Sequence, residues 1–91
     1  MKPEFDSSLL RSLRGRDEML QRSVYSAMQA TATYFGHPHL HSGRGIRRLG
    51  TNLYECRAGL DLRILFYRQD DRLVFTFAGT HDEIKAYLKN R

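Results

Sequence analysis

Four residues in the second half of the chain have the chemistry needed to cleave a phosphodiester bond: Glu55, Arg57, Arg63 and His81. Cleavage of RNA by its own 2′-hydroxyl needs a base for the hydroxyl proton, a cation to stabilise the charge that grows around phosphorus, and an acid for the leaving 5′-oxygen. Glu55 or His81 can serve as the base, and His81 as the acid. The two arginines can clamp the phosphate, because a guanidinium donates two parallel hydrogen bonds to its oxygens.

The same four residues also fit a simpler interpretation, a surface salt bridge between Glu55 and one arginine that contributes little to stability. Two arginines that face each other on neighbouring strands repel, however, and such a pair brings no obvious structural benefit. An anion is therefore expected between Arg57 and Arg63, and it can be Glu55, part of a partner protein or a substrate. For this reason we favour the functional interpretation.

A second group of arginines makes the surface around this cluster basic, namely Arg44, Arg47, Arg48 and Arg68. Segment 43–68 contains six arginines and two acidic residues, a local charge of +4 in a chain whose formal charge is +5. Such a surface favours a polyanion, most simply nucleic acid. A glycine-flanked loop at 43–48 can follow a phosphate backbone, although a solvated turn has the same composition. We predict that these four arginines bind nucleic acid.

Three histidines at alternate positions, His37, His39 and His41, invite a metal interpretation, because alternate positions of an extended segment share one side. The sequence offers no fourth ligand beside them, neither a carboxylate nor a second cysteine. We therefore predict no metal and no other cofactor. Near a bound polyanion these imidazoles would instead add positive charge below neutral pH.

Three runs of branched and aromatic residues must position the candidate site: Leu53–Ala58, Leu62–Arg68 and Leu73–Gly79. Turn-forming residues separate the runs, so they predict a three-stranded antiparallel meander. A short first strand is also possible at Met1–Phe5, where Pro3 restricts it to an edge or a strand start.

The first hairpin is expected to place Arg57 directly opposite Arg63. A three-residue loop that pairs Ala58 with Leu62 gives this register, and it leaves the other face of the hairpin continuously apolar. A two-residue loop would instead turn Arg63 into the core, where an unpaired guanidinium is very costly.

The second hairpin is expected to extend the same apolar face through a four-residue loop that pairs Arg68 with Leu73. The predicted cross-strand pairs are Phe75 with Phe66, Phe77 with Ile64, and Ala78 with Arg63. The end of this last strand then delivers Thr80 and His81 close to the arginine pair.

The helical spacing of apolar residues predicts a helical hairpin before the sheet. Asp6, Ser7 and Ser8 are candidate N-caps for the first helix. Its inward-facing residues would be Leu9, Leu10 and Leu13. A second, longer helix begins near Asp17 and carries an apolar stripe that can cover the sheet.

The last helix begins at a capping-box sequence in which Thr80 and Glu83 are three residues apart, so His81 takes its first position. The fold class that follows is α+β with two layers, a helical hairpin packed on a small antiparallel sheet plus a C-terminal helix. A chain of 91 residues is the right size for one domain, 1–91.

A single cysteine, Cys56, cannot form an internal disulfide, which indicates a reducing compartment. The longest apolar runs last only a few residues, so we expect neither a signal peptide nor a membrane-spanning segment. The sequence therefore predicts a cytoplasmic protein without a membrane partner.

Four segments together resemble the RelE/ParE superfamily of bacterial toxins in type II toxin–antitoxin systems. They are Leu49-Gly50, Leu53-Tyr54-Glu55-Cys56-Arg57, Leu62-Arg63-Ile64-Leu65-Phe66-Tyr67 and Gly79-Thr80-His81-Asp82-Glu83. The helical hairpin precedes them as it does in that family, so the resemblance covers nearly the whole chain. For the mRNA-cleaving branch it implies a toxin that enters the ribosomal A site and cuts the message. It also implies an antitoxin partner that wraps the toxin and suppresses its activity.

Residue by residue, the resemblance favours the RelE/YoeB-like mRNA interferase branch but is incomplete. Arg63 matches the arginine that binds the scissile phosphate, and His81 falls near the C-terminal acid–base residue, which is histidine in the YoeB-like branch. Glu55 and Arg57 stand where ribosome-dependent relatives have lysines, or where the YoeB-like branch has a nearby glutamate base. Asp82 follows His81 in place of a tyrosine.

Two other functions stay open at this stage. A ParE-like DNA gyrase poison needs no acid–base residues, so its toxicity would survive His81→Ala and Glu55→Ala while DNA breaks accumulate. A degenerate, non-catalytic relative would bind RNA or a partner protein without arresting growth.

Overall fold

The secondary structure consists of three helices and five strands in the part of the chain that the computed structural model describes, residues 1–37 and 45–90. In chain order they are β1 (Lys2–Phe5), α1 (Ser7–Leu13), α2 (Glu18–Tyr34), β2 (Arg47–Gly50), β3 (Leu53–Arg57), β4 (Arg63–Gln69), β5 (Arg72–Gly79) and α3 (His81–Lys89). Within these described residues, no helix has the length and apolar character needed to cross a bilayer. The predicted α+β class is confirmed.

The five strands form one mixed sheet in the order β1-β5-β4-β3-β2, in which β1 runs parallel to β5 and the other pairs are antiparallel. The predicted meander is the centre of this sheet, and the possible first strand is present as an edge strand. The prediction of a three-stranded meander was incomplete, because β2 was interpreted as a loop. A strand of four residues with two arginines, a terminal glycine and a shifted register has no clear alternation to reveal it.

The predicted register of the first hairpin is confirmed. The backbone N–H of Ala58 donates to the carbonyl oxygen of Leu62 at 2.9 Å, which closes the three-residue loop. Arg57 therefore lies opposite Arg63, one pair beyond Cys56 and its partner on β4. Cys56 is fully buried, so the apolar face of the hairpin is the core face.

The second hairpin follows the predicted register for only part of its length. Arg68 pairs with Leu73 and Phe66 with Phe75, as expected, but the register then shifts at a β-bulge. The observed partners beyond the bulge are Leu65 with Phe77, Ile64 with Ala78, and Arg63 with Gly79. The predicted pairs of Phe77 with Ile64 and of Ala78 with Arg63 were therefore wrong by one residue.

The extra residue of this bulge is Thr76, and a hydrogen bond to the first helix holds it in place. Its hydroxyl donates to Oδ2 of Asp6 at 2.8 Å, while Oδ1 of the same carboxylate accepts the N-terminal amides of α1. The bulge turns Phe77 to the face of the sheet opposite the main core. There its ring stacks on Tyr87 of α3 with ring centroids 4.2 Å apart.

The main core lies between the sheet and the α1–α2 hairpin. Asp6, one of the three candidate caps, is the N-cap of α1, and Asp17, which was expected in the first turn of α2, is instead the N-cap of that helix. Leu9 and Leu13 are buried as expected, whereas Leu10 is 46% exposed because it falls on the outer face of the short helix α1. The buried residues that α2 and the sheet contribute include Val24, Ala27, Met28, Ala32, Cys56, Ile64, Phe66, Leu73, Phe75 and Ala78.

Candidate active site at one end of the sheet

Glu55 forms the buried part of the candidate site. Its side chain is only 3% exposed, and Oε1 lies 3.6 Å from Nη1 of Arg63 and 3.2 Å from Nη2 of Arg47. Arg47 reaches Glu55 from the neighbouring edge strand β2, where the two residues are directly paired. Arg63 is 24% exposed and Arg47 is 63% exposed, so the carboxylate lies beneath both guanidinium groups.

The contacts of Glu55 Oε1 with the two arginines are ion pairs that lack hydrogen-bond geometry. Among the described residues, no donor meets hydrogen-bond geometry at Oε1, although this atom is buried. A buried carboxylate is costly unless cations compensate it, and the two arginines are the cations that lie near it. Glu55 thereby holds the Arg63 guanidinium at the surface of the sheet end.

His81 is the first residue of α3 and is exposed. The predicted capping box fixes this helix start, because the Thr80 hydroxyl accepts from the Glu83 amide at 3.2 Å and Glu83 accepts from the Thr80 amide at 2.9 Å. The Thr80 amide is the main cause that lowers the pKa of Glu83 below its ordinary value of 4.5, and Arg16, 2.9 Å from Oε2, adds to it. Gly79 precedes the cap, where a Cβ atom would come within 3.0 Å of the Glu83 side chain.

Arg63 and His81 line one open depression of about 380 Å³ at the end of the sheet, which we call the Arg63–His81 depression. Its lining residues are Leu60, Asp61, Arg63, Thr80, His81 and Asp82. Sequence reasoning placed the arginine and the histidine near each other but overlooked Asp61 and Asp82. The sequence could have indicated both residues, because Asp61 lies in the turn before β4 and Asp82 is the second residue of α3.

Arg57 occupies a different depression, although it is paired with Arg63 as predicted. This second hollow, of about 450 Å³, lies between α2 and the β3–β4 turn and is lined by Arg22, Ser23, Ser26 and Arg57 among others. We call it the Arg22–Arg57 depression. The Gly45 backbone packs against the stem of Arg57, since a Cβ atom there would lie 3.1 Å from Cγ and Cδ.

Three of the four arginines predicted to bind nucleic acid lie in the described part of the chain, and these three are dispersed. Arg47 covers Glu55, so it belongs to the site at the sheet end. Nε of Arg48 donates to the Gly50 carbonyl at 2.9 Å. Arg68 lies at the opposite end of β4 from Arg63. Arg44 lies outside the described residues.

Of the three alternate histidines, only His37 belongs to the described part of the chain, where it is exposed and follows α2. His39 and His41 lie outside the described residues. Among residues 1–37 and 45–90, no group of three or more potential metal ligands is close enough to hold an ion.

Fold and site together define a small α+β protein with a five-stranded mixed sheet and an arginine–histidine depression at the sheet end. This is the fold of solved RelE-type toxin structures. The present structure matches a chain of the RelB–RelE antitoxin–toxin complex from Methanococcus jannaschii. The two chains are 15% identical, 92% of this chain and 96% of that chain are covered, and the TM-score is 0.69. It also matches YafQ from E. coli strain BL21(DE3) at 13% identity, with 91% and 96% covered and a TM-score of 0.66.

A third likeness is to a chain of the YoeB–YefM complex from Staphylococcus aureus, at 11% identity, with 89% and 97% covered and a TM-score of 0.61. These structures confirm the predicted RelE/ParE resemblance at the level of the fold. A scan against protein-family models finds no match, and a search of curated proteins finds none.

Proposed function

We propose that this chain is the toxin of a type II toxin–antitoxin pair and that it cleaves mRNA on the ribosome. The observation that carries the proposal is the Arg63–His81 depression, in which a guanidinium backed by a buried carboxylate and an exposed imidazole share one small hollow. The shared fold with the toxin–antitoxin structures supports the same assignment. The cognate partner would be an antitoxin that covers this surface.

The proposed reaction needs no cofactor. The 2′-hydroxyl oxygen attacks the adjacent phosphorus, the bond from phosphorus to the 5′-oxygen breaks, and the products are a 2′,3′-cyclic phosphate and a 5′-hydroxyl. Arg63 stabilises the charge that grows on the phosphate oxygens. His81 exchanges a proton with the attacking or the leaving oxygen.

We assign Glu55 a positioning role toward Arg63. At 2% exposure it has no open path to a substrate proton while Arg47 lies above it. His81 is exposed at the rim and is therefore the better-placed proton carrier. If Glu55 acts only through Arg63, Glu55→Gln will lower the cleavage rate but keep both limbs of the pH–rate profile. If Glu55 were the general base, the same substitution would remove the acidic limb of the profile.

The proposal is tested by adding purified protein to ribosomes programmed with a defined mRNA and mapping the cut ends. Wild-type protein is expected to leave a 5′-hydroxyl at a cut in the ribosomal A site. His81→Ala is expected to slow cleavage by about 10²–10⁴-fold, and Arg63→Ala by about 10²–10³-fold.

Arg72→Ala is the matched control, because it removes an arginine ion-paired to Glu4 at the opposite end of β4 and β5. It is expected to cleave at the wild-type rate. Intact mRNA on ribosomes treated with wild-type protein would reject the proposal. Broken DNA in cells that express the protein would then favour the gyrase-poison alternative.

A further inference from the structure

The Arg63–His81 depression cannot by itself supply the attraction that a polyanionic substrate needs. Among the described residues that line it are one arginine, Arg63, and two acidic residues, Asp61 and Asp82. Apart from His81, the formal charge of this lining is −1, from one arginine and two aspartates. A strand of RNA that is drawn to this end of the sheet must therefore be held by positive charge on neighbouring surface.

The Arg22–Arg57 depression has the complementary composition. It combines two guanidinium groups with the hydroxyls of Ser23 and Ser26, and none of the described residues that line it is acidic. Guanidinium and hydroxyl groups are among the side-chain groups with which proteins contact phosphate oxygens. This depression has the positive charge and the donor groups that bind a backbone phosphate.

The two depressions adjoin across the turn between β3 and β4. Gly59 lines one of them, while Leu60 and Asp61 line the other. Arg57 and Arg63 are directly paired across the strands, so their Cα atoms are about 4.5–5.5 Å apart. A phosphate chain that runs over the β3–β4 turn would therefore have both depressions within its path.

We propose that the Arg22–Arg57 depression is a second phosphate subsite, which holds single-stranded RNA beside the phosphate bound at Arg63. Arg57 and Arg22 supply the charge of this subsite, and Ser23 and Ser26 supply hydroxyl donors. The inference rests on the proposed RNA substrate and adds a binding contact from α2, which the sequence interpretation had assigned only to the core.

The ion pair that Arg22 already makes does not prevent this role. Nη2 of Arg22 lies 2.7 Å from Oε1 of Glu18, one helical turn away, and both side chains are more than three-quarters exposed. Such a pair is solvated and weak, so a phosphate can replace or share the carboxylate. Removal of Arg22 is likewise expected to leave the fold intact.

Binding of a fluorescent oligouridylate, measured by anisotropy over a range of salt concentrations, tests the subsite without requiring cleavage. Each lost phosphate contact on single-stranded nucleic acid reduces the slope of log K against log salt by about 0.7. We expect a reduction of about this size in Arg22→Ala and in Arg57→Ala. Arg72→Ala, which also loses one charge and one exposed ion pair, is expected to keep the wild-type slope.

Circular dichroism melts verify that each variant is folded before its slope is compared. Equal slopes in Arg22→Ala and wild type would overturn the subsite while leaving the proposed cleavage standing. A reduced slope alongside intact ribosomal mRNA would support the subsite and reject the cleavage. Displacement of the RNA by poly-glutamate at equal charge concentration would show a general polyanion surface and would also overturn the assignment to RNA.

Discussion

At the scale of single residues, Glu55 decides the character of the candidate site. A glutamate that faces outward on a strand is ordinarily exposed, but here the side chain lies beneath Arg47 and beside Arg63. Removal of a buried charge leaves its partner uncompensated, and the loss grows with the burial of that partner. Arg63 is mostly buried and Arg47 is mostly exposed, so the two ion pairs should contribute unequally to stability.

We predict that Glu55→Ala lowers the free energy of unfolding by about 1–3 kcal/mol, because it leaves the Arg63 guanidinium partly buried without its acid. Arg47→Ala should cost less than about 1 kcal/mol, since its guanidinium is largely solvated and Glu55 keeps Arg63. Urea denaturation measures both values. Equal losses in the two variants would contradict the asymmetric arrangement.

At the scale of secondary-structure elements, the β-bulge links the sheet to two helices. Thr76 donates to Asp6, which caps α1, and the bulge presents Phe77 to Tyr87 of α3. Tyr87 in turn lies within hydrogen-bond distance of the Ser8 hydroxyl, at 3.2 Å. The start of α1, the end of β5 and the helix that carries His81 are therefore held together by contacts that depend on one extra residue in a strand.

We expect Thr76→Val to destabilise the protein by about 1–2 kcal/mol, because the Asp6 carboxylate loses a charge-assisted hydrogen bond while the side chain keeps its shape. For a domain of this size, the melting temperature should fall by roughly 5–15 °C. Thr33→Val is the matched control, since the exposed Thr33 hydroxyl bonds within its own helix, to the Gln29 carbonyl. Equal melting temperatures of the two variants would show that the bulge does not depend on this bond.

At the scale of the whole molecule, the only cysteine of the sequence reports on the core. Cys56 is fully buried on β3 and belongs to the cluster that α1, α2 and the sheet share. A thiol in this position becomes accessible only when the core opens. Its labelling rate therefore follows the population of open molecules when reclosing is fast.

We predict that an aromatic disulfide reagent labels native Cys56 orders of magnitude more slowly than it labels the thiol in urea. Variants that lose 1–2 kcal/mol of stability should be labelled about five- to thirtyfold faster, because stability and open population are linked. Stopped-flow absorbance measures the rates. Rapid labelling of the native protein would indicate a local opening of β3 that spares the rest of the core.

Much of the fold followed from local chemistry that the sequence displays directly. Asp6 and Asp17 cap helices because a carboxylate accepts from the first amides of a helix, and Thr80 with Glu83 forms the expected capping box. The first hairpin followed because a one-residue slip would have buried Arg63. The pairing of Arg57 with Arg63 was therefore determined by sequence alone.

The tertiary structure decided what depends on contacts between distant elements. The register beyond Phe75 shifts because Thr76 finds a partner 70 residues away, a contact that no strand pattern contains. The burial of Glu55 depends on β2, whose arginines resemble a solvated loop until the edge strand is in place. Arg57 and Arg63 line separate depressions because α2 borders one of them and α3 borders the other. Local sequence patterns carry no information about where these two helices lie at the sheet end.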